Sequence, residues 1–447
     1  MHVNMAAHSD TDINRNVHST AEQTARFLYF SCILVALATL PLPFRVSAGP
    51  LLFTVGQICW LLAVLILGML YCRVRRVSLH LTEWLFLSFF AYVAFSIVVM
   101  KETRLWEMRQ YKAIIGPALC SYCATRCYLR RLKGNVPLLY AIVVVGIVVG
   151  SLVYFRMAAG LGIIERDNSV MRSIWDELTI SYSTTGNLSV LGLIISIGLI
   201  LSRQRVYVLL GLPAVPVLGA IMLRSENRAS MLALLAAGAC ALGARSIAPK
   251  VFSLLLGVFL AVTICVAVCP SNFADLTSVF DIDLSGGGQS RVLDTSGYAR
   301  DLRERLGEWD MIVTTPSHGF PRWAFGVEWE KASNRVRYIG HPHNLWVWCF
   351  VMGGIPGVII VAVSVFIVLS RLYVAWWHGT SPNRLIVGVT LLAFCPLFLV
   401  ATTNSILPGT EAVWGVLVAT AVTLTSSSRV WRMFDLVNQQ PIDRFRE

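Results

Sequence analysis

The sequence predicts an all-α polytopic integral membrane protein, because its charge content is too low for a soluble chain and it has about twelve apolar runs of bilayer-crossing length. Charged residues are 14% of the 447 and hydrophobic residues 56%, with a mean hydropathy of +0.67, whereas about a quarter of a soluble domain is charged. A crossing helix needs roughly 20 residues to cover about 30 Å of hydrocarbon. Runs of that kind lie near residues 26–44, 51–71, 83–100, 111–128, 138–157, 184–202, 206–223, 229–244, 251–269, 346–370, 385–402 and 408–425.

Taken in order, residues 1–25 are polar, carry Asp10, Asp12 and Glu22, and show no apolar stretch before a cleavage site, so they read as a cytoplasmic tail with the first run as anchor. Segments one to nine fill 26–269. The fourth is crowded at its start by Arg109, Lys112 and Pro117. A long connection, 270–345, precedes segments ten to twelve at 346–425, and a second cytoplasmic tail covers 426–447. The tenth segment is interrupted by Gly353, Gly354, Pro356 and Gly357, which predicts a helix break about ten residues, or roughly 15 Å, beyond its start. Threading from a cytoplasmic N-terminus puts Arg73, Arg75 and Arg76, then Arg126, Arg130, Arg131 and Lys133, then Arg203 and Arg205, then Arg245 and Lys250, then Arg371 and Arg384 inside. Each short inner connection is basic, as the positive-inside rule asks. Both termini are therefore expected in the cytoplasm and the 270–345 loop on the outer face. A connection that long usually carries function.

Cations on the expected outer face are nearly all arginine, among them Arg291, Arg300, Arg303, Arg305, Arg322, Arg335 and Arg337. Loop acids outnumber loop bases, so a solvated, internally paired surface accounts for most of them. Arg224 and Arg228 differ. They flank a tight turn in RSENRASMLALL with Glu226 alone beside them in sequence, which holds two guanidinium groups at the bilayer surface. Ionisable groups so placed are candidates for function, and a planar five-donor fork matches phosphate oxygens. Lys112, at the outer mouth of the fourth segment, joins them as a phosphate-binding candidate.

Residues 340–357, GHPHNLWVWCFVMGGIPG, set His341, His343 and Asn344 at the head of an apolar run. Three readings stay open. His341 and His343 form a metal pair, although no third ligand follows at helical spacing. Asn344 caps the tenth helix with His343 merely interfacial. His343 is a general base, its near-neutral imidazole taking a proton from an acceptor hydroxyl at the lip of a membrane cavity. Other patterns read more plainly. Asp281-Ile282-Asp283 is a short Asp-x-Asp beside a Gly-Gly-Gly, and Cys120, Cys123 and Cys127 sit inside the fourth segment, where cysteine behaves as a small hydrophobe. Trp346 and Trp348 are expected as interfacial anchors.

His343-Asn344, nine residues, then Gly354-Ile355-Pro356-Gly357 resembles the His-Asn-x9-Gly-x-x-Gly signature of the O-antigen ligase family, polytopic enzymes of Gram-negative inner membranes. Arg228-Ala229-Ser230-Met231-Leu232 resembles its Arg-x3-Leu element. ARDLRERLGEWDMIVTTPSHGFP is similar to the stretch preceding the histidine, with Arg303 or Arg305, Trp309, Pro316 and Gly319 in place and Arg291 a further contender for the second arginine. The resemblance implies a metal-independent, inverting glycosyltransferase of GT-C architecture. It would move a glycan from undecaprenyl pyrophosphate to the lipid A core oligosaccharide in the periplasm. His343 would act as base or as phosphate donor. Arg228, Arg224 and one of Arg291, Arg303 or Arg305, with His341, Asn344 and Lys112, would bind substrate, and Gly354 and Gly357 would be structural.

Residue chemistry agrees with this. Pyrophosphate leaves readily once arginines neutralise its charge, so the acceptor hydroxyl is the partner that needs a base. No Walker loop or dinucleotide Gly pattern occurs. Energy must therefore arrive in the substrate, and neither cofactor, metal nor nucleic acid is expected. Two relatives of the same superfamily remain alternatives: an O-antigen polymerase, and a protein O-oligosaccharyltransferase, against which the short C-terminal tail counts. A lipid or sugar transporter would show matching halves with interrupted helices, and the sequence shows one interruption.

Overall fold

The computed structural model describes residues 6–42, 45–48, 51–71, 79–102, 104–160, 182–225, 228–243, 246–273, 295–317, 320–333, 335, 344–379, 383–403 and 407–426. Over the described residues the chain is an all-α membrane protein with one small hairpin. In order come α1 (Ala6–Ala38), β1 (Arg45–Ala48), β2 (Leu51–Thr54), α2 (Val55–Tyr71) and α3 (Leu81–Phe95), which runs into a π-helical turn at Ser96–Met100. Then follow α4 (Arg104–Arg131), α5 (Val136–Gly160), α6 (Tyr182–Leu201), α7 (Arg205–Arg224), α8 (Arg228–Gly243) and α9 (Pro249–Val268). The loop region holds α10 (Thr295–Val313), α11 (Arg322–Phe325) and α12 (Trp329–Ser333), before α13 (Leu345–His378), α14 (Asn383–Thr403) and α15 (Leu407–Ser426).

Each predicted apolar run falls on a helix. Among the described residues, six stretches are long and apolar enough to cross a bilayer: Leu81–Met100, Val136–Met157, Thr184–Leu201, Arg205–Arg224, Pro249–Val268 and Leu345–His378. Val55–Leu67, Ser230–Gly243, Arg384–Phe394 and Glu411–Thr425 are shorter apolar helices. Several boundaries depart from the prediction: α4 begins at Arg104 and α13 runs on to His378. Helix α1 begins at Ala6, well inside the polar tail. The second run opens as a strand, Leu51 facing Ala48 and Thr54 facing Arg45, and turns helical only at Val55. Thr54 and Gln57 fix that start reciprocally: Gln57 N donates to Thr54 Oγ1 at 3.3 Å and Thr54 N to Gln57 Oε1 at 3.2 Å, a capping box. Pro117 lies inside α4 without ending it.

Two cores form. The larger joins α1, α2, α4 to α8, α14 and α15 to the lower part of α13, through Val368, Leu369, Leu372 and Tyr373. The smaller packs α3, α9, α10 and α12 around the upper part of α13, from Trp346 to Val361. Helix α13 thus belongs to both. Helices α4 and α15 run parallel, since Gly415 lies against Ala118 and Ser121 while Thr423 accepts a hydrogen bond from Arg126. A side chain at 415 would meet Ser121 Oγ at 2.0 Å and Ala118 O at 2.2 Å, so the close approach requires glycine there.

Candidate functional site

The site is built around the first eight residues of α13. Asn344 caps them: its side-chain oxygen accepts from Trp346 N at 2.8 Å and Val347 N at 3.2 Å, satisfying two of the helix's orphan donors. The capping reading of Asn344 is thus what the backbone carries out. At the other end the helix is broken, as the glycine cluster predicts. Gly353 (φ −142°, ψ 17°) and Gly354 (φ 60°, ψ −158°) are both non-helical. Residues 345–352 therefore form a half-helix, and 355–378 the longer membrane segment.

The break is filled by the loop. Segment 323–328 lies against it so closely that the two chains need glycine on both sides. A Cβ on Gly354 would meet Ala324 O at 2.4 Å, and one on Gly326, itself at φ +81°, would meet Val351 O at 2.2 Å. Val327 N donates to Val351 O at 3.1 Å. The end of α3 closes the third side. Tyr92 OH donates to Ala324 O at 2.5 Å, Ser96 Oγ to Phe325 O at 2.9 Å, and Lys101 Nζ to both Val327 O and Val351 O at 2.9 Å. Lys101 is 1% exposed. Beside it, the buried carboxylate of Glu328 accepts from Glu102 N at 2.8 Å and pairs with Lys331, which also reaches Glu102 at 3.0 Å. The hydrogen bond to Glu328 holds the Lys331 ammonium pKa above its usual value.

This enclosure overturns one expectation. Trp346 and Trp348 are 0% and 5% exposed and so do not serve as interfacial anchors. Trp309, Ile312 and Trp329 of the loop helices cover the half-helix and share its core. A window of hydropathy cannot foresee a lid contributed from elsewhere in the chain.

The remaining candidates are spread over several elements. His341, His343, Arg291, Asp281 and Asp283 lie outside the described residues. Arg303 and Arg305 lie on α10, six and four residues before the buried Trp309. Burial pushes the carboxyl of Glu308, one turn beyond Arg305, above its usual value, and the Arg305 charge opposes that shift. Arg224 is exposed on the last turn of α7, and Arg228 opens α8. Two residues on, Ser230 Oγ donates to Asn187 Oδ1 of α6 at 2.7 Å, both side chains buried, which ties the start of α8 to the start of α6. Lys112 lies on α4, and the parallel register sets the level of Glu411, a buried carboxyl on α15, near residues 114–117 of α4. Side chains of Arg228 and Lys112 are outside the described set. Gly357 continues α13 below the break, where a Cβ would stand 3.1 Å from Cys349 O. Cys120 and Cys127 pack against the larger core as free thiols.

Sequence reasoning missed Lys101, Glu328 and Glu411. Lys101 left a faint signal, a cation placed directly after an apolar run, yet its partner Val351 is 250 residues away. The chain matches no protein-family model and no curated protein.

Proposed function

We propose that this protein is an O-antigen ligase. It would transfer a glycan from undecaprenyl pyrophosphate to the lipid A core oligosaccharide at the periplasmic face of a Gram-negative inner membrane. In this reading the chain crosses about twelve times with both termini cytoplasmic, in a GT-C architecture and with no metal in the reaction. What supports it most is the half-helix: an Asn344-capped, protein-enclosed turn that ends at Gly353-Gly354, with the sequence motif His343-Asn344 at its head and Gly354 to Gly357 at its tail. The positive end of that helix dipole faces the side from which the chain enters, where developing phosphate charge is best stabilised. His343 then serves as base toward the acceptor hydroxyl or as donor to phosphate. Arg228, Arg224 and one of Arg291, Arg303 or Arg305 carry the diphosphate, with Lys112 and His341 as further contacts.

Complementation in a ligase-deletion strain, read on silver-stained lipopolysaccharide gels, tests the assignment. Wild type restores the polymeric ladder. His343→Ala and Arg228→Ala, present at normal levels, leave bare core while lipid-linked glycan accumulates. Core bearing a single repeat would instead mark a polymerase, and a full ladder from His343→Ala would remove that residue from the chemistry.

A further inference from the structure

The glycine break creates a mechanical problem whose solution lies in α3. A helix interrupted by two non-helical residues cannot transmit position from its lower segment to its upper one, because the hydrogen-bonded ladder that makes it a rod is lost there. Residues 355–378 therefore do not set where Asn344 stands. Breaking the helix also leaves the last carbonyls of 345–352 without intrahelical donors, at the negative end of the local dipole. The Lys101 ammonium meets Val351 O at that end and Val327 O of the loop, both at 2.9 Å. A charged donor at a helix C-terminus, withdrawn from water, makes a hydrogen bond roughly twice as strong as a neutral one. Phe350 O and Val351 O crowd the positive-φ Gly326, and Trp323 O and Ala324 O crowd the positive-φ Gly354 opposite.

We infer that Lys101 is the positioning residue of this site: its ammonium, tethered to the end of α3, fixes the half-helix that carries Asn344 against segment 323–328, in place of the broken span below. The inference rests on the proposed transferase reading for its consequence in catalysis, since His343 precedes Asn344 in the chain. The clamp itself does not. Lys101→Met keeps an unbranched side chain one heavy atom shorter and removes charge and donors. Lys101→Ala deletes three methylenes and an ammonium, the atoms of n-propylammonium.

The test is amide hydrogen exchange on the full-length protein in lipid nanodiscs, followed on the peptide covering 345–352, alongside glycan transfer to lipid A core. Loss of the charge-assisted bond to Val351 O predicts about 10- to 100-fold faster exchange of that peptide in both variants, while the α6 peptide is unchanged. n-Propylammonium restores protection in Lys101→Ala. Tetramethylammonium, which has charge and no N–H, does not. Transfer falls in kcat more than in KM and recovers with propylammonium. Unchanged exchange in Lys101→Met, or equal rescue by the two cations, overturns the clamp. A wild-type protein that fails to transfer glycan yet shows the exchange pattern overturns the ligase reading and leaves the clamp standing. Were Lys101→Ala to lose α6 protection as well, Lys101→Met would decide the question by the same comparison.

Discussion

At the residue scale, two glycines of one motif have different tasks, and their conformations separate them. Gly354 stands at φ +60° with carbonyls of the loop where a Cβ would go, whereas Gly357 is helical and meets only the Cys349 carbonyl at 3.1 Å and a Phe89 ring carbon at 3.5 Å. Gly354→Ala is expected to cost about 1–3 kcal/mol through strain alone, with the steric clash added. Gly357→Ala should stay within about 1 kcal/mol, since alanine's better helix propensity offsets the tight contact. Thermal denaturation in detergent distinguishes them: a lowered Tm for the first and a near-native one for the second.

His80, just before α3, gives a pH prediction. Burial lowers its pKa below the usual 6.5, and the charges of Arg130, Arg126 and Arg371 lower it further against an opposing contribution from Glu83. Arg130 Nη2 lies 2.6 Å from His80 Nε2, and a neutral ring accepts that donor. The folded state therefore binds its proton less readily than the unfolded chain does. The stabilisation is fully present above the unfolded value of 6.5 and is lost as pH falls through the folded pKa. Tm measured from pH 7.5 down to pH 5 should drop more in wild type than in His80→Asn. A parallel drop in both would remove His80 from the account.

At the scale of elements, the network on α3, α4 and α15 lies at the end of the bundle opposite Lys101. Glu83 Oε1 accepts from Arg126 Nε at 2.9 Å and Tyr122 OH at 2.6 Å, Glu83 Oε2 accepts from His80 N at 2.7 Å, and Arg126 Nη1 donates to Thr423 Oγ1 at 2.7 Å. Both charges are buried, with 9% and 6% of their side chains exposed. Removing one partner leaves the other ion unpaired, so Glu83→Gln or Arg126→Met should each cost about 3–5 kcal/mol. Replacing both with methionine should cost less than either alone, because no buried charge remains. A double-mutant cycle by chemical denaturation measures the difference, and strictly additive losses would show that the pair is not coupled.

At the scale of the whole molecule, the proposed topology sets the Lys101 clasp and the Arg126 network on opposite faces of the bilayer. Trp323, 62% exposed beside the clasp, and His378, exposed at the end of α13, provide reporters. In a background without native cysteines, Trp323→Cys should react with an impermeant maleimide in spheroplasts. His378→Cys should react only after permeabilisation. The reverse pattern would invert the orientation and place the half-helix on the wrong side for a periplasmic donor.

The sequence by itself determined what depends on transfer of short segments into an apolar solvent: the apolar runs that become helices, the asymmetry of their basic connections, and the helix break, because Gly353 and Gly354 lack the side chains that stiffen a helix. Asn344 as a cap was legible for the same local reason, acting on amides two and three residues away. Tertiary structure alone decided that Lys101 leaves water, that Trp346 and Trp348 turn inward, and that residues 323–328 fill the gap between two halves of one helix. These outcomes depend on partners more than 200 residues away in the chain for Lys101, Tyr92 and Ser96. A buried cation reads as a solvated one until the carbonyls that replace its water are seen to converge.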